Sequence, residues 1–535
     1  MFTAPSVDWL AAWPVLAVLL AGVTGIVVEA FAPRWSRRSI QLALVTAGVG
    51  IALVGLVTAW VDGADRVVIR SATPGDIVPA GMLIDRTTLF LQGALLLVGA
   101  LSLLLIAERA GGRLNSFAPQ AAAVPGSSYE RQAFQAKLEH TEIFPLAMFA
   151  LGGMMVFASA ADLLTMFVAL EVFSLPLYIM CGLERRRRLL SQEAALKYFL
   201  LGAFSSAVFL FGVALIYAVT GTVSLPQLTL RLEQARGFDF ANTLPVLVVG
   251  ALFVLIGLLF KVGAVPFHSW TPDVYTGAPT PITGFMAAAT KMAAFGALLR
   301  VLFSGLDVLS EMWSPMLIAV AVLTMVLGSL VAIAQTDVKR MLAYSSIAHA
   351  GFILTALVAM PDDLASLQQA RSSVLFYLLA YGITTVAAFG LVMMVREVRE
   401  DGSIAGEANL LSQWAGLGRT EPVFAAAFTV LLLAFAGIPM TSGFIGKFGV
   451  FRAAVDGGHA WLALLGVLCS AAAAFFYIRV VVLMYFSDTS ARPVTVAVGP
   501  LAAAAISMGV VATLLLGVIP GPVLSLTDAL VVAGP

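Results

Sequence analysis

Four of the chain's six lysines, Lys197, Lys261, Lys291 and Lys447, stand in or at the start of long apolar runs. A charged side chain at the centre of a membrane helix costs about 2.5–3.5 kcal/mol on insertion scales, so chance explains this distribution poorly. Lys291, in Ala289-Thr290-Lys291-Met292, is near the middle of its run, where snorkelling to an interface is awkward. Burial favours the neutral form of an amine, which lets such a lysine accept and release a proton near neutral pH. Lys261 precedes the interruption Gly263-Ala264-Val265-Pro266. A proline there deprives the Val262 carbonyl of its helical donor. Glu171, in Leu170-Glu171-Val172, is the one carboxylate deep in an early run. Beside a lysine it would stay ionised and hold the lysine charged, so Glu171 and Lys261 are expected to pair. At about 4 Å and an effective dielectric of about 20 their attraction is roughly 4 kcal/mol. Moving a charge against roughly 150 mV costs about 3.5 kcal/mol, so opening one such pair is of the right size to drive a proton. The plainer alternative is a static pair that fixes helix packing. Lys447 follows a second interruption, Ala436-Gly437-Ile438-Pro439, and is the counterpart of Lys261. Lys197 either takes up protons or snorkels. His349 either relays between Lys291 and Lys447 or packs as a hydrogen-bonded histidine.

These residues need apolar spans to hold them. The chain has 535 residues, 60% hydrophobic and 11% charged, with mean hydropathy +0.99. Soluble domains sit near about 25% charged, and long apolar runs here follow one another with short polar breaks. At about 20 apolar residues per helix, spans fall near 9–31, 39–61, 83–107, 142–159, 160–182, 195–220, 243–266, 280–303, 313–335, 340–360, 371–395, 422–454, 460–487 and 496–520. The reading is an all-α polytopic membrane protein of about 14 transmembrane helices. Three leading helices occupy 1–110, and a linker over 111–141 precedes a five-helix block over 142–303. A second block covers 304–487, and 488–535 holds a closing helix. Each block has one span broken by Gly and Pro near a lysine, the mark of an inverted repeat with its site at the breaks.

Arginine and lysine crowd one set of alternate loops, among them Arg34, Arg37, Arg38, Lys137, Arg185 to Arg188, Lys339 and Arg340. The opposite loops hold few, such as Arg66, Arg86 and Arg371. Both termini are therefore expected on the outer side of the membrane. The run from Trp9 to Phe31 lacks the basic start of a cleaved signal peptide and reads as a retained helix. Zero formal net charge gives no electrostatic case for nucleic acid. Cys181 and Cys469 form no Cys-x-x-Cys pair, which argues against iron–sulfur or structural zinc sites. Thr441 to Lys447 faintly suggests a phosphate loop, but Thr441 replaces the first glycine and Phe448 follows the lysine. His268 reads as structural, and Glu29 and Asp85 as span-end residues.

The same segments resemble the subunit N family of the proton-pumping NADH:quinone oxidoreductase, respiratory complex I of the bacterial type. The resemblance rests on Glu171-Val172-Phe173-Ser174-Leu175-Pro176-Leu177-Tyr178, on Glu193-Ala194-Ala195-Leu196-Lys197-Tyr198 and on Pro266-Phe267-His268-Ser269-Trp270-Thr271-Pro272-Asp273-Val274-Tyr275. It extends through Asp337-Val338-Lys339-Arg340 to His349, and through Gly437-Ile438-Pro439 to Lys447. It implies 14 helices in two inverted five-helix repeats, with helices 7 and 12 broken. It also implies a proton path through Glu171, Lys261, Lys291 and Lys447. NADH, flavin, iron–sulfur clusters and quinone are implied to bind other subunits, with no cofactor in this chain. The implied partners are the other membrane and peripheral subunits, including neighbouring antiporter-like ones, in a bacterial plasma membrane. A multi-subunit cation/proton antiporter is the alternative on the same fold. A scaffold subunit would hold its buried charges for packing only, and a solute permease would need a more varied polar cavity.

Overall fold

The computed structural model describes residues 6–63, 66–70, 81–109, 116–117, 127–135, 140–184, 187–235, 240–358, 364–398, 404–489 and 494–528. Most of the linker expected over 111–141 lies outside them, with Lys137, and so do Arg185 and Arg186.

Apolar helices dominate because a buried backbone in hydrocarbon must satisfy its own hydrogen bonds. Among the described residues twelve helices are long and apolar enough to cross a membrane. Two shorter apolar helices, Ile143–Ser159 and Pro422–Ala436, accompany them. Aspartates begin three of the spans. Asp8, Asp85 and Asp162 each accept a backbone N–H three residues on, from Ala11, Thr88 and Thr165. Such caps satisfy donors that the first turn leaves free. Two helices start earlier than hydropathy alone suggests: the span expected over 195–220 begins at Arg188, and the one expected over 371–395 runs from Leu364 to Met394. Hydropathy counts only residues at hydrocarbon depth, whereas the helix continues into the polar boundary.

Both interruptions are breaks. Phe240–Val262 ends before Gly263, and the short helix Trp270–Gly277 follows. Pro422–Ala436 ends at Gly437, and Ser442–Asp456 resumes. The sequence reading did not include strands. Val395–Val398 pairs antiparallel with both Ile404–Glu407 and Val494–Val496. Lys339, expected in a loop, is in the first turn of Val338–Val358 and 2% exposed.

Helices that hold the candidate residues form the centre of the bundle. The apolar windows of Thr280–Ser304, Val338–Val358 and Leu367–Met394 are 100%, 94% and 94% buried, against 28% for Pro500–Val518. One buried ion pair ties this centre to the leading helices. Arg300 donates to Asp85 at 2.8 Å and to the Ala158 carbonyl at 2.9 Å. Asp85, read from sequence as a mere span-end residue, is therefore both a helix cap and a counter-ion.

Glycines set the closest crossings. A Cβ on Gly212 would meet the Gly250 carbonyl at 2.7 Å and Val254 N at 2.8 Å, backbone atoms that cannot yield. Gly50 has nothing within 4 Å of such an atom. Gly212→Val is expected to part Arg188–Thr220 from Phe240–Val262 at a cost of about 1–3 kcal/mol. Gly50→Val should be close to neutral. Retention of the folded chain in membranes on heating checks both, and equal loss would refute the crossing.

Candidate functional site

Lys261, on the last turn of its helix, is enclosed by aromatic rings. Its Nζ lies 5.4–5.7 Å from the ring centres of Phe173, Tyr178, Tyr198 and Phe260. Trp270, beyond the break, stacks on Tyr198 at 4.6 Å and donates to the Phe260 carbonyl at 3.0 Å. The break thus folds back to close the box. Ring faces stabilise an ammonium without supplying a counter-anion. Nζ donates to Ser174 Oγ at 2.8 Å and to the Tyr178 hydroxyl at 3.3 Å.

The direct pair expected between Glu171 and Lys261 is not formed. Ser174, one turn beyond Glu171 on Leu163–Cys181, takes the amine instead, because the rings direct the lysine side chain there. Glu171 Oε1 is buried with no hydrogen-bond partner among the described residues.

Lys291 follows a widened π-helical turn, Met286–Thr290, in the most buried helix. Such turns leave carbonyls and side chains out of regular register and recur at functional sites. Its Nζ donates to the Ser346 carbonyl and sits 5.7 Å from the centre of the Tyr381 ring. Ser346 lies on the helix of His349. His349 is bonded at Nδ1 to the Tyr377 hydroxyl at 2.7 Å and at Nε2 to that of Tyr477 at 3.3 Å. The Tyr381 ring, 4.8 Å from the imidazole, therefore touches both basic groups.

Lys447 is reached from the same cluster. Its Nζ donates to the carbonyls of Phe435 and Ala436 at 2.8 and 3.0 Å, and to Ser470 Oγ at 2.7 Å. Those carbonyls end Pro422–Ala436, where the break removes their helical donors. A small cavity of about 10 Å³ lies beside the histidine, bordered by His349, Tyr377, Tyr381, Phe435 and Ser442. That is about the space one water centre occupies.

Lys197 stands apart from this buried line, with its side chain 42% exposed. It bonds Glu193 at 2.7 Å and Asp273 at 2.8 Å, and Arg340 holds the other Asp273 oxygen at 2.8 Å. Both Asp273 oxygens are thus taken up by cations. Asp273 therefore joins the two halves of the chain at one face.

The structure brings Lys291, His349 and Lys447, linked in the sequence reading by a histidine relay, into one neighbourhood. Sequence reasoning passed over Ser174, Tyr178, Asp273, Tyr377, Tyr381, Ser470 and Tyr477. The missed signal was the hydroxyl: a tyrosine inside an apolar run needs a partner for its O–H much as a lysine does.

Ser174→Ala removes the short acceptor of a buried amine and is expected to cost about 1–3 kcal/mol. Lys261→Met in the same chain should recover most of that loss. Thermal retention of the folded chain reads both, and a double variant as unstable as Ser174→Ala alone would contradict the contact.

Comparison with known proteins identifies the family. The sequence profile of the family described as "NADH:quinone oxidoreductase/Mrp antiporter, TM" matches residues 160–474. NADH-quinone oxidoreductase subunit N of Rhodococcus opacus is 52% identical, over 98% of this chain and 96% of that one. The subunit N of Mycobacterium tuberculosis is 51% identical over 98% of each. A chain of respiratory complex I from Thermus thermophilus superposes with a TM-score of 0.73 at 31% identity, covering 96% of this chain and 99% of that one. A chain of the Mrp complex from Dietzia shares the fold, with a TM-score of 0.77 at 23% identity over 97% and 96%. Identity near one half over almost the whole length places this chain in the subunit N family of NADH-quinone oxidoreductase, among the antiporter-like membrane subunits of respiratory complex I.

Proposed function

We propose that this chain is the proton-translocating subunit N of a bacterial complex I, a non-redox part of a translocase. NADH oxidation and quinone reduction proceed on other subunits, which hold the flavin, the iron–sulfur clusters and the quinone. This chain moves protons across the plasma membrane in response, with both termini on the outer side. Its helices count as 14 in two inverted five-helix repeats, over 142–303 and 304–487. The leading helices lie within 1–110, and the closing one within 488–535. Broken helix 7 is then Phe240–Val262 with Trp270–Gly277, and broken helix 12 is Pro422–Ala436 with Ser442–Asp456.

The observation behind this reading is that Lys261, Lys291 and Lys447 are all buried and bonded to neutral oxygens. A carboxylate in contact would hold the proton on the amine, whereas a carbonyl or hydroxyl holds it less strongly. A proton taken up near Lys197 passes to Lys261, whose ammonium is held by the Ser174 and Tyr178 oxygens and by the field of Glu171 from beyond hydrogen-bond reach. Lys291 receives it at mid-depth. His349 accepts it next, between Tyr377 and Tyr477, and returns to neutral when Lys447 takes the proton towards the outer side. Each transfer leaves the donor neutral and ready for the next proton.

Likeness to the Mrp complex is of fold alone, and the near-half identity to subunits N favours complex I over the antiporter reading.

Lys291→Ala in membrane vesicles with the whole complex tests the proposal. Once assembly is verified, proton uptake per NADH oxidised is expected to fall, or both rates to fall together. Normal rates at the normal ratio would make the chain a scaffold.

A further inference from the structure

Lys339 is as buried as the three lysines of the proposed path, yet of these four it is the one with a carboxylate oxygen within 4 Å. Its Nζ donates to the Ala278 carbonyl at 2.7 Å and stands 3.9 Å from Glu407 Oε2. Glu407 ends the strand Ile404–Glu407, and its side chain is 5% exposed. Thr280, the first residue of the helix that leads to Lys291, donates its hydroxyl to the same Oε2. Arg396 stands 3.9 Å from the other oxygen, Oε1, which has no hydrogen bond among the described residues. Glu407 is thus shared between two cations and committed to neither, since both separations exceed the length of a charge-assisted hydrogen bond.

Position along the helix joins this pair to the proton line. Residues 339, 342, 346 and 349 recur at spacings of three and four, which puts them on one helical face. Ser346 gives its carbonyl to Lys291, and His349 follows one turn later. Seven residues of helix separate Lys339 from Ser346, a rise of about 10 Å. Tyr275, on the short helix Trp270–Gly277, has its hydroxyl next to Ser346. Ala278, which holds the Lys339 amine, closes the short helix of Tyr275.

We propose that Lys339 and Glu407 form a second proton-loading pair, which feeds Lys291 directly from the arginine-rich side of the membrane. This rests on the reading of Lys291 as a proton carrier. When Glu407 turns to Lys339, the amine takes a proton from water on that side and becomes an ammonium. When Glu407 turns to Arg396, the Lys339 ammonium loses its counter-ion and gives the proton to the neutral amine of Lys291. Lys339 is left neutral, Lys291 charged, and the carboxylate is unchanged in both steps. The three-stranded sheet that bears Arg396 and Glu407 sets which cation the carboxylate meets. A change at that sheet would therefore gate the supply of protons to mid-depth.

The experiment compares three variants of the whole complex in vesicles, Lys339→Arg, Glu407→Gln and Lys291→Ala, by protons taken up per NADH oxidised. Arginine keeps the charge and a donor for Ala278 but does not release its proton. Glutamine keeps an acceptor for Thr280 without the charge. Both are expected to lower the ratio, though by less than Lys291→Ala does because the route through Lys261 remains, with electron flow still measurable. A full ratio in either assembled variant, alongside a lowered one in Lys291→Ala, would overturn the loading pair and leave the carrier reading intact. Normal rates at a full ratio in all three would overturn the carrier reading itself. Should Lys339→Arg fail to assemble, Glu407→Gln decides alone.

Discussion

An ammonium buried in hydrocarbon must find acceptors inside the protein, and the kind of acceptor decides whether it can let its proton go. Lys261, Lys291 and Lys447 all meet this demand with neutral oxygens: a serine hydroxyl and a phenol, a backbone carbonyl, and two carbonyls with a serine. A full ion pair at each site would have been easier to bury as a unit but would bind the proton more firmly. Much of the remaining architecture follows from supplying neutral acceptors at depth.

Backbone carbonyls are available only where a helix stops hydrogen-bonding to itself. The break at Gly437 frees those of Phe435 and Ala436, and Gly437 adopts φ of 82° to turn the chain there. A Cβ at this position would press on Lys447 Cδ at 2.8 Å, so the glycine serves both the turn and the lysine. The break after Val262 works differently. It brings Trp270 back over the aromatic box and closes the space around Lys261. Near Lys291 no break is needed, because the π-helical turn before it aims the amine at the neighbouring helix. These three local departures from a straight α-helix occupy the very places where the amines are found.

Much of this was legible in the order of residues. Apolar runs marked the spans, and Gly with Pro inside two of them marked the breaks, since both act through the backbone and leave a local signature. Lysines inside those runs marked the candidate site, because their cost there is independent of tertiary detail. What stayed hidden depends on contacts distant in sequence. Lys339 sits beside an arginine at the start of a span and read as a loop charge, but the turn at Ala278 and the strand ending in Glu407 bury it. Glu171 seemed the natural partner of Lys261, yet the rings of four residues steer the amine to Ser174. No spacing rule places Tyr377, Tyr381 and Tyr477 around one histidine.

Neutral solvation of the amines is the claim on which the rest stands, and Ser470→Asp tests it most directly. The substitution sets a carboxylate against Lys447 where the hydroxyl now lies 2.7 Å away. An ion pair there should hold the proton on the lysine, so proton uptake per NADH oxidised is expected to fall in an assembled complex, while Ser470→Ala keeps most of it. A complex with Ser470→Asp that assembles and pumps at the full ratio would contradict the account.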